Sequence, residues 1–325
     1  MSGRVTIKSI AKDLGISHMT VSRALSDNPN VLKATREAVQ KRAQELGYVK
    51  SAAAMAMRGD GTQIVGLLLP NIVNEFYARF ANTMAQSCVA QGLQLIIHLT
   101  NDDYNVERLA LERLLEVQAA AVVMVPTPAQ ESFDDQSIAN TRIIQLIRQR
   151  ASATPTSAVI VEDSAAIEQA VAHLVRLGHK KIAYIGADQA LSSGRSRLAA
   201  FQNGLANLGI EANANLIRSA PPSFEMGRKS ATDLFALGGA TALVCGGFEV
   251  SNGALSAYMD RLSDSGERIA FVGYGDPAFY AWVDGGITTV QIPVEELARR
   301  AVDMVTRKTD DAQTFTLRAN LVVRS

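Results

Sequence analysis

From residue 63 onward the chain repeats one pattern: a short unbroken apolar run, then a stretch with apolar residues at helical spacing. The runs fall at 64–69, 93–97, 120–125, 143–147, 158–161, 182–185, 242–245 and 269–272. A run that is apolar at every position, rather than at alternate ones, suits a strand covered on both faces of a parallel sheet. The stretches between them, such as 76–91 and 104–118, place apolar residues at i, i+3 and i+4. Strand–helix–strand repetition implies right-handed crossovers and doubly wound sheets. About ten strands are too many for one modest core, so two α/β lobes are expected. Ligands of such sheets bind outside the carboxyl ends of the strands, which puts a cleft between the lobes.

Residues 1–62 are a different kind of sequence. Thr6 is placed to cap a helix whose inward face is Ile7, Ile10, Ala11 and Leu14; Gly15 then supplies a turn and Ser17 caps a second helix over 18–25. A third helix is expected around 34–46, with Ala38, Val39, Ala43 and Leu46 as its apolar stripe. Two helices joined by a short glycine-containing turn make a helix-turn-helix, whose second helix enters the major groove. The whole chain balances 32 basic against 32 acidic residues, which argues against binding nucleic acid through bulk charge. Split at residue 60, the balance changes: ten basic and five acidic positions leave the head at +5, and the remainder carries −5. A small basic helix-turn-helix has the electrostatic footprint of DNA binding. A three-helix protein-docking module is the competing reading. Residues 49–62 hold an alanine-rich stretch and then Arg58-Gly59-Asp60-Gly61, a linker able to become helical when something holds it.

Other function classes find little support. Cys88 and Cys245 are isolated in apolar surroundings and read as buried free thiols, and the four histidines form no ligand-spaced cluster. No metal or cofactor is therefore expected. The apolar runs are too short for a membrane span, and the first residues lack a signal-peptide core, which points to the cytoplasm. Neither GxGxxG after a strand nor GxxxxGK[ST] occurs, and no nucleophile–base–acid set stands out, so an enzyme is not expected.

The segment 6–25, TIKSIAKDLGISHMTVSRAL, resembles the N-terminal signature of the LacI/GalR transcriptional regulators, as do Thr35-Arg36 and ELGY at 45–48. The resemblance continues through IVGLLLP at 64–70, LGHKKI at 177–182, RLAAF at 197–201, VGY at 272–274, TTV at 288–290 and Ile292-Pro293. It covers essentially the whole chain. It implies a helix-turn-helix domain at 1–48, a hinge helix and linker at 49–62, and an effector-binding and dimerisation domain at 63–325. The last is a two-lobed body like the periplasmic binding proteins, its first lobe about 63–160 and 292–320, its second about 161–291. The implied protein is a DNA-binding regulator, a repressor in most readings, acting as a cytoplasmic, nucleoid-associated homodimer on a pseudo-palindromic operator.

The resemblance also assigns residues. His18, Met19 and Arg23 match the base-reading positions of the recognition helix, and Arg23 can donate two hydrogen bonds to a guanine edge. Ser17, Thr20 and Ser22 match phosphate contacts, which fix register without reading sequence. Met57 stands where the family wedges a leucine into the minor groove, and methionine suits that role. Leu32 replaces the serine that usually caps the third helix, so another residue, such as Asn30, is expected to cap it.

In the effector cleft, Phe76 and Tyr77 are expected to line the first lobe, and Arg197 matches the effector-clamping arginine. Four other positions depart from the family: Gly247-Phe248 replaces an Asn-Asp pair, and Gly275 replaces an acidic residue, leaving Asp276. Pro222 replaces an aromatic, with Phe224 nearby, and Arg148 replaces an acidic residue. Two arginines in a cleft short of carboxylates favour an anionic, carbohydrate-like effector such as a sugar acid or phosphorylated sugar. The alternative for the whole chain is a sugar-binding receptor without DNA function, which the basic head and the missing leader disfavour.

Overall fold

The computed structural model describes residues 5–48, 62–128, 141–152, 156–307 and 311–324. The chain forms two compact units, 1–62 and 63–325. The expected hinge helix and Met57 lie outside the described residues.

In the first unit, α1 (Ile7–Leu14) starts at Thr6, whose hydroxyl accepts the Ser9 N–H at 3.3 Å while Ser9 Oγ accepts the Thr6 N–H at 2.9 Å. Gly15 ends the helix at φ +64°, a conformation that costs little only for glycine. Helix α2 (His18–Leu25) follows its Ser17 cap, and α3 (Lys33–Glu45) closes the trio. Ile10, Ala11, Val21, Ala24, Val39 and Ala43 form the shared core, joined by Val31. Two expectations fail at α3. Ala38 is exposed rather than part of the stripe. Asn30 does not cap the helix: its own N–H donates to Asn28 Oδ1 at 3.0 Å, and no side chain caps α3. The approach to the helix is held instead by Arg36, whose Nη2 donates to the Asn28 carbonyl at 2.8 Å.

The second unit contains two six-stranded sheets. The first lobe holds β1 (Ile64–Leu69), β2 (Gln94–Leu99), β3 (Ala121–Met124), β4 (Arg142–Leu146), β5 (Ser157–Glu162) and β11 (Thr314–Arg318). They lie in the order β11-β5-β4-β3-β1-β2, all parallel. The second lobe holds β6 (Ile182–Ala187), β7 (Ile217–Ala220), β8 (Ala242–Gly246), β9 (Ala270–Gly275), β10 (Thr288–Gln291) and β12 (Asn320–Val322). Their order is β12-β10-β9-β8-β6-β7, parallel except for the β10–β12 edge pair. The doubly wound parallel architecture expected from the apolar runs is therefore present, with one antiparallel edge. Strands β1, β3, β6 and β8 are buried almost throughout, which is why their sequences are apolar without alternation.

Helices α4 (Glu75–Ala90), α5 (Tyr104–Glu116) and α10 (Val294–Thr306) serve the first lobe; α6 (Ser164–Arg176), α7 (Ser192–Ala206), α8 (Phe224–Leu237) and α9 (Phe248–Ser265) serve the second. The chain crosses between lobes at Asp163, at Ile292-Pro293 and at Ala319, the single residue separating β11 from β12. Because Asn320 already belongs to the second sheet, the first lobe's last segment stops at Arg318 rather than about 320. Cys88 and Cys245 are both buried and free. Among the described residues, no helix is long and apolar enough to cross a membrane, and no cluster could hold a metal ion.

Candidate functional site

Helix α2 has two faces. Val21 and Ala24 are fully buried against the other helices, so His18, Met19, Ser22 and Arg23 turn outward at i, i+1, i+4 and i+5. Met19 is 54% exposed, and His18 and Arg23 are exposed as well. No described residue pairs with the Arg23 guanidinium, whereas Arg42 is tied to Asp13 at 2.6 Å and to Glu45 at 3.0 Å. Ser17 is occupied locally: its Oγ accepts the Thr20 N–H at 3.1 Å and lies 2.9 Å from Thr20 Oγ1. Five of the expected DNA-contacting residues thus sit on or beside one exposed surface, with Ser17 doubling as the cap that orients it.

The interlobe cleft of the second unit encloses about 690 Å³, counted with its open mouth. Phe76, Tyr77, Arg148, Arg197 and Phe248 line it as expected. Two expected residues do not. Phe224 opens α8 with its side chain 40% exposed, and Pro222 is the residue that reaches the cleft. Asp276 points elsewhere: Arg324 grips its carboxylate with contacts of 2.7 and 3.1 Å, and Gln291 Nε2 donates to it at 2.7 Å. The space an acidic side chain at 275 would need is taken. A Cβ on Gly275 would lie 2.3 Å from the Phe248 ring, and φ there is +115°.

Arg148 follows a strained turn. Ile147, a β-branched residue, has φ +63°, and the Arg148 N–H bonds back to the Leu146 carbonyl at 2.6 Å. Buried partners hold the turn in place. Gln145 accepts the Arg150 N–H at 2.7 Å and donates to the Arg150 carbonyl at 3.0 Å, while Arg150 is 2.5 Å from Glu107. The result presents Arg148 to the cleft, where its Nη1 meets Asp102 at 2.5 Å. Burial opposes the Arg148 charge, but Tyr77 and Asp102 outweigh it and raise its pKa.

Arg197 is bound more tightly still. Its Nε donates to Asp163 at 2.6 Å, Nη1 donates to the Gly246 carbonyl at 3.2 Å, and the guanidinium lies 4.3 Å from the Tyr274 ring centre. Tyr274 donates its hydroxyl to the same Asp163. Burial again works against the charge, and Tyr274 and Asp163 more than offset it. Both arginines on which an anionic effector was expected are therefore already paired, and that expectation loses its electrostatic basis.

The residues that pair them, Asp102 and Asp163, were missed in the sequence, as were Asn71, Asn74, Glu249 and Tyr274. Their common signal is position: each lies at or just past the carboxyl end of a strand, where ligands of such sheets bind. One contact crosses the cleft, the Gln149 N–H donating to Ser192 Oγ at 2.9 Å. Asn71 and Asn74 of the first lobe line the same space as Glu249 of the second, where burial raises the Glu249 pKa and the two amides work against that rise.

Residues 6–51 match the family described as bacterial regulatory proteins, lacI family, and residues 171–325 match the periplasmic binding protein-like domain. The chain is 27% identical over 311 residues to the HTH-type transcriptional regulator GalR of Escherichia coli (strain K12), covering 94% of this chain and 90% of GalR. Its fold is similar to that of the Lac repressor dimer bound to operator and the anti-inducer ONPF, with TM-score 0.81 and 21% identity over 99% of this chain and 98% of that one. It is also similar to the transcriptional regulator CelR in its cellobiose complex, with TM-score 0.70 and 24% identity over 99% of both chains. The chain thus joins a helix-turn-helix head matching the lacI family of bacterial regulatory proteins to a periplasmic-binding-protein-like effector domain, the make-up of a DNA-binding transcriptional regulator.

Proposed function

We propose that the protein is a sequence-specific repressor, that it acts as a homodimer on a pseudo-palindromic operator, and that a small carbohydrate-like effector in the cleft sets its operator affinity. The observation that carries the reading is the outward face of α2, where Arg23 is exposed and unpaired among the described residues. A guanidinium left free on a recognition helix suits base reading, because a base edge supplies the acceptors the protein does not. Exposed apolar side chains support self-association. Ile97 and Leu99, each 42% exposed, share one face of the edge strand β2, and Trp282 is 72% exposed on the second lobe. The named partners of the relatives support the rest: operator DNA and ONPF for the Lac repressor, cellobiose for CelR.

We read the cleft as a binding rather than a catalytic site, and the protein as cytoplasmic and nucleoid-associated. Effector binding that shifts the lobes would change the spacing of the two linkers in a dimer and so their fit to the groove, an allosteric coupling between cleft and operator. Selection from a random duplex pool, followed by footprinting, tests the reading. Two half-sites related by a twofold axis are expected, about one helical turn apart. A single unsymmetrical site, or binding without sequence preference, refutes it. Screening sugars for release of the selected duplex tests the effector arm.

A further inference from the structure

We propose that the effector carries an ammonium group that docks against Glu249; the proposal rests on reading the interlobe cleft as the effector site. The argument begins with charge. Among the charged residues around the cleft, Arg148 is matched by Asp102 at 2.5 Å and Arg197 by Asp163 at 2.6 Å. Glu249 remains: Arg148 acts on it only from a distance, opposed by Asp102, and no described cation lies within ion-pair distance of it. Its neighbours Asn71 and Asn74 are neutral. Their own carbonyl oxygens are committed, Asn71 Oδ1 to the Asn74 N–H at 2.9 Å and Asn74 Oδ1 to the Phe76 N–H at 3.0 Å. Only their N–H groups are left for Glu249.

Two amides do not finish the job. A carboxylate has about four acceptor positions, and amide donors satisfy hydrogen bonding without cancelling charge. A carboxylate drawn into a low-dielectric cleft is costly unless a cation joins it. The surrounding walls are also suited to a cation. Phe76, Tyr77, Phe248 and Tyr274 line the same space, and aromatic faces attract ammonium groups. Position adds a functional consequence. Glu249 belongs to the first turn of α9 in the second lobe, and Asn71 and Asn74 follow β1 in the first. An ammonium seated there is gripped from both lobes, so its binding favours their closed arrangement. A neutral sugar offers hydroxyls but no charge, and a sugar acid brings a second negative charge to Glu249.

The test uses the full-length protein and two matched sets of ligands at neutral pH: glucosamine, glucose and gluconate, then galactosamine, galactose and galactonate. Calorimetry on the wild type is expected to show at least one amine binding tenfold or more tighter than its hydroxyl parent. In Glu249→Gln, which keeps the shape and removes the charge, the ratio of amine to parent affinity should fall towards one. The proposal is overturned if neither amine binds, if a sugar acid binds tightest, or if the preference survives in Glu249→Gln. Release of operator DNA by the neutral or acidic sugars alone would retain the effector cleft and remove only the amine.

Discussion

Replacing Arg23 by alanine isolates sequence reading from everything else the head does. The side chain is exposed and has no partner among the described residues, so its loss leaves the packing of Ile10, Val21, Ala24 and Val39 untouched. Stability should change by no more than about 0.5 kcal/mol. On DNA the effect is larger. A guanidinium making two hydrogen bonds to a guanine is worth about 1–3 kcal/mol of discrimination. A dimer presents two such contacts, so the preference for operator over scrambled duplex should fall by about 2–6 kcal/mol, or roughly 30-fold to 20,000-fold. Affinity for scrambled DNA should barely change, because it depends on phosphate contacts. The assay is a competition shift with both duplexes across a range of salt concentrations. If Arg23 contacts only phosphate, the variant instead loses affinity equally for both duplexes, and the salt slope becomes shallower by about one contact per protomer. That result, or an undiminished preference, refutes the base-reading role.

Three further changes probe the physical arguments. Leu32 is 78% exposed at an uncapped helix start, so Leu32→Ser should add about 1 kcal/mol and raise the melting of the first unit by about 4–8 °C in calorimetry; no gain would mean that the loop geometry forbids a cap. Burial raises the Glu249 pKa, so the folded state binds its proton more readily than the unfolded chain does. Ionised Glu249 therefore destabilises the fold at neutral pH, and the penalty disappears as pH falls through the raised value towards the ordinary 4.5. Glu249→Gln should accordingly unfold at higher denaturant than the wild type at pH 7, with the difference closing in acid; a less stable variant at pH 7 contradicts the sign. Gly275→Ala should destabilise the second unit by about 1–3 kcal/mol from its backbone alone, with a further cost from the Phe248 ring. Adding Phe248→Ala should relieve the steric part only, which a double-mutant cycle by urea unfolding measures as coupling.

The sequence reveals much of this molecule where burial is local and continuous. The runs that became β1, β3, β6 and β8 are apolar because both faces are covered, and one pass along the chain finds them. Strand β7, Ile217–Ala220, escapes because it is a sheet edge, carries Arg and Ser, and is only partly buried. In the cleft, Arg148 and Arg197 are legible as residues, but their charge state is not. Their partners lie 46 and 34 residues away, and only the fold brings Asp102 and Asp163 to them. A cleft that looks short of carboxylates in the alignment of motifs is supplied with them from strand ends that the motifs do not mark.

Two of those departures are the same one-residue displacement with opposite outcomes. At 248 the resemblance places an acidic residue; the chain has Phe248, and its carboxylate comes one position later, at Glu249. At 275 it places another; the chain has Gly275, and the carboxylate follows at Asp276. One step along a helix turns a side chain by about 100°, and near the first turn of α9 that keeps both Phe248 and Glu249 in the cleft. At the strand end the backbone is not extended, with φ +115° at Gly275 and +112° at Asp276, and the Asp276 carboxylate leaves the cleft for Arg324 and Gln291. The Phe248 ring then lies where a side chain at 275 would begin. The two sites are thus one packing unit. Restoring an acidic residue at 275 alone drives it into the ring, and restoring one at 248 alone leaves a void over Gly275 beside a second carboxylate at Glu249. The chemistry of this cleft can return to the family pattern only by changing both positions together.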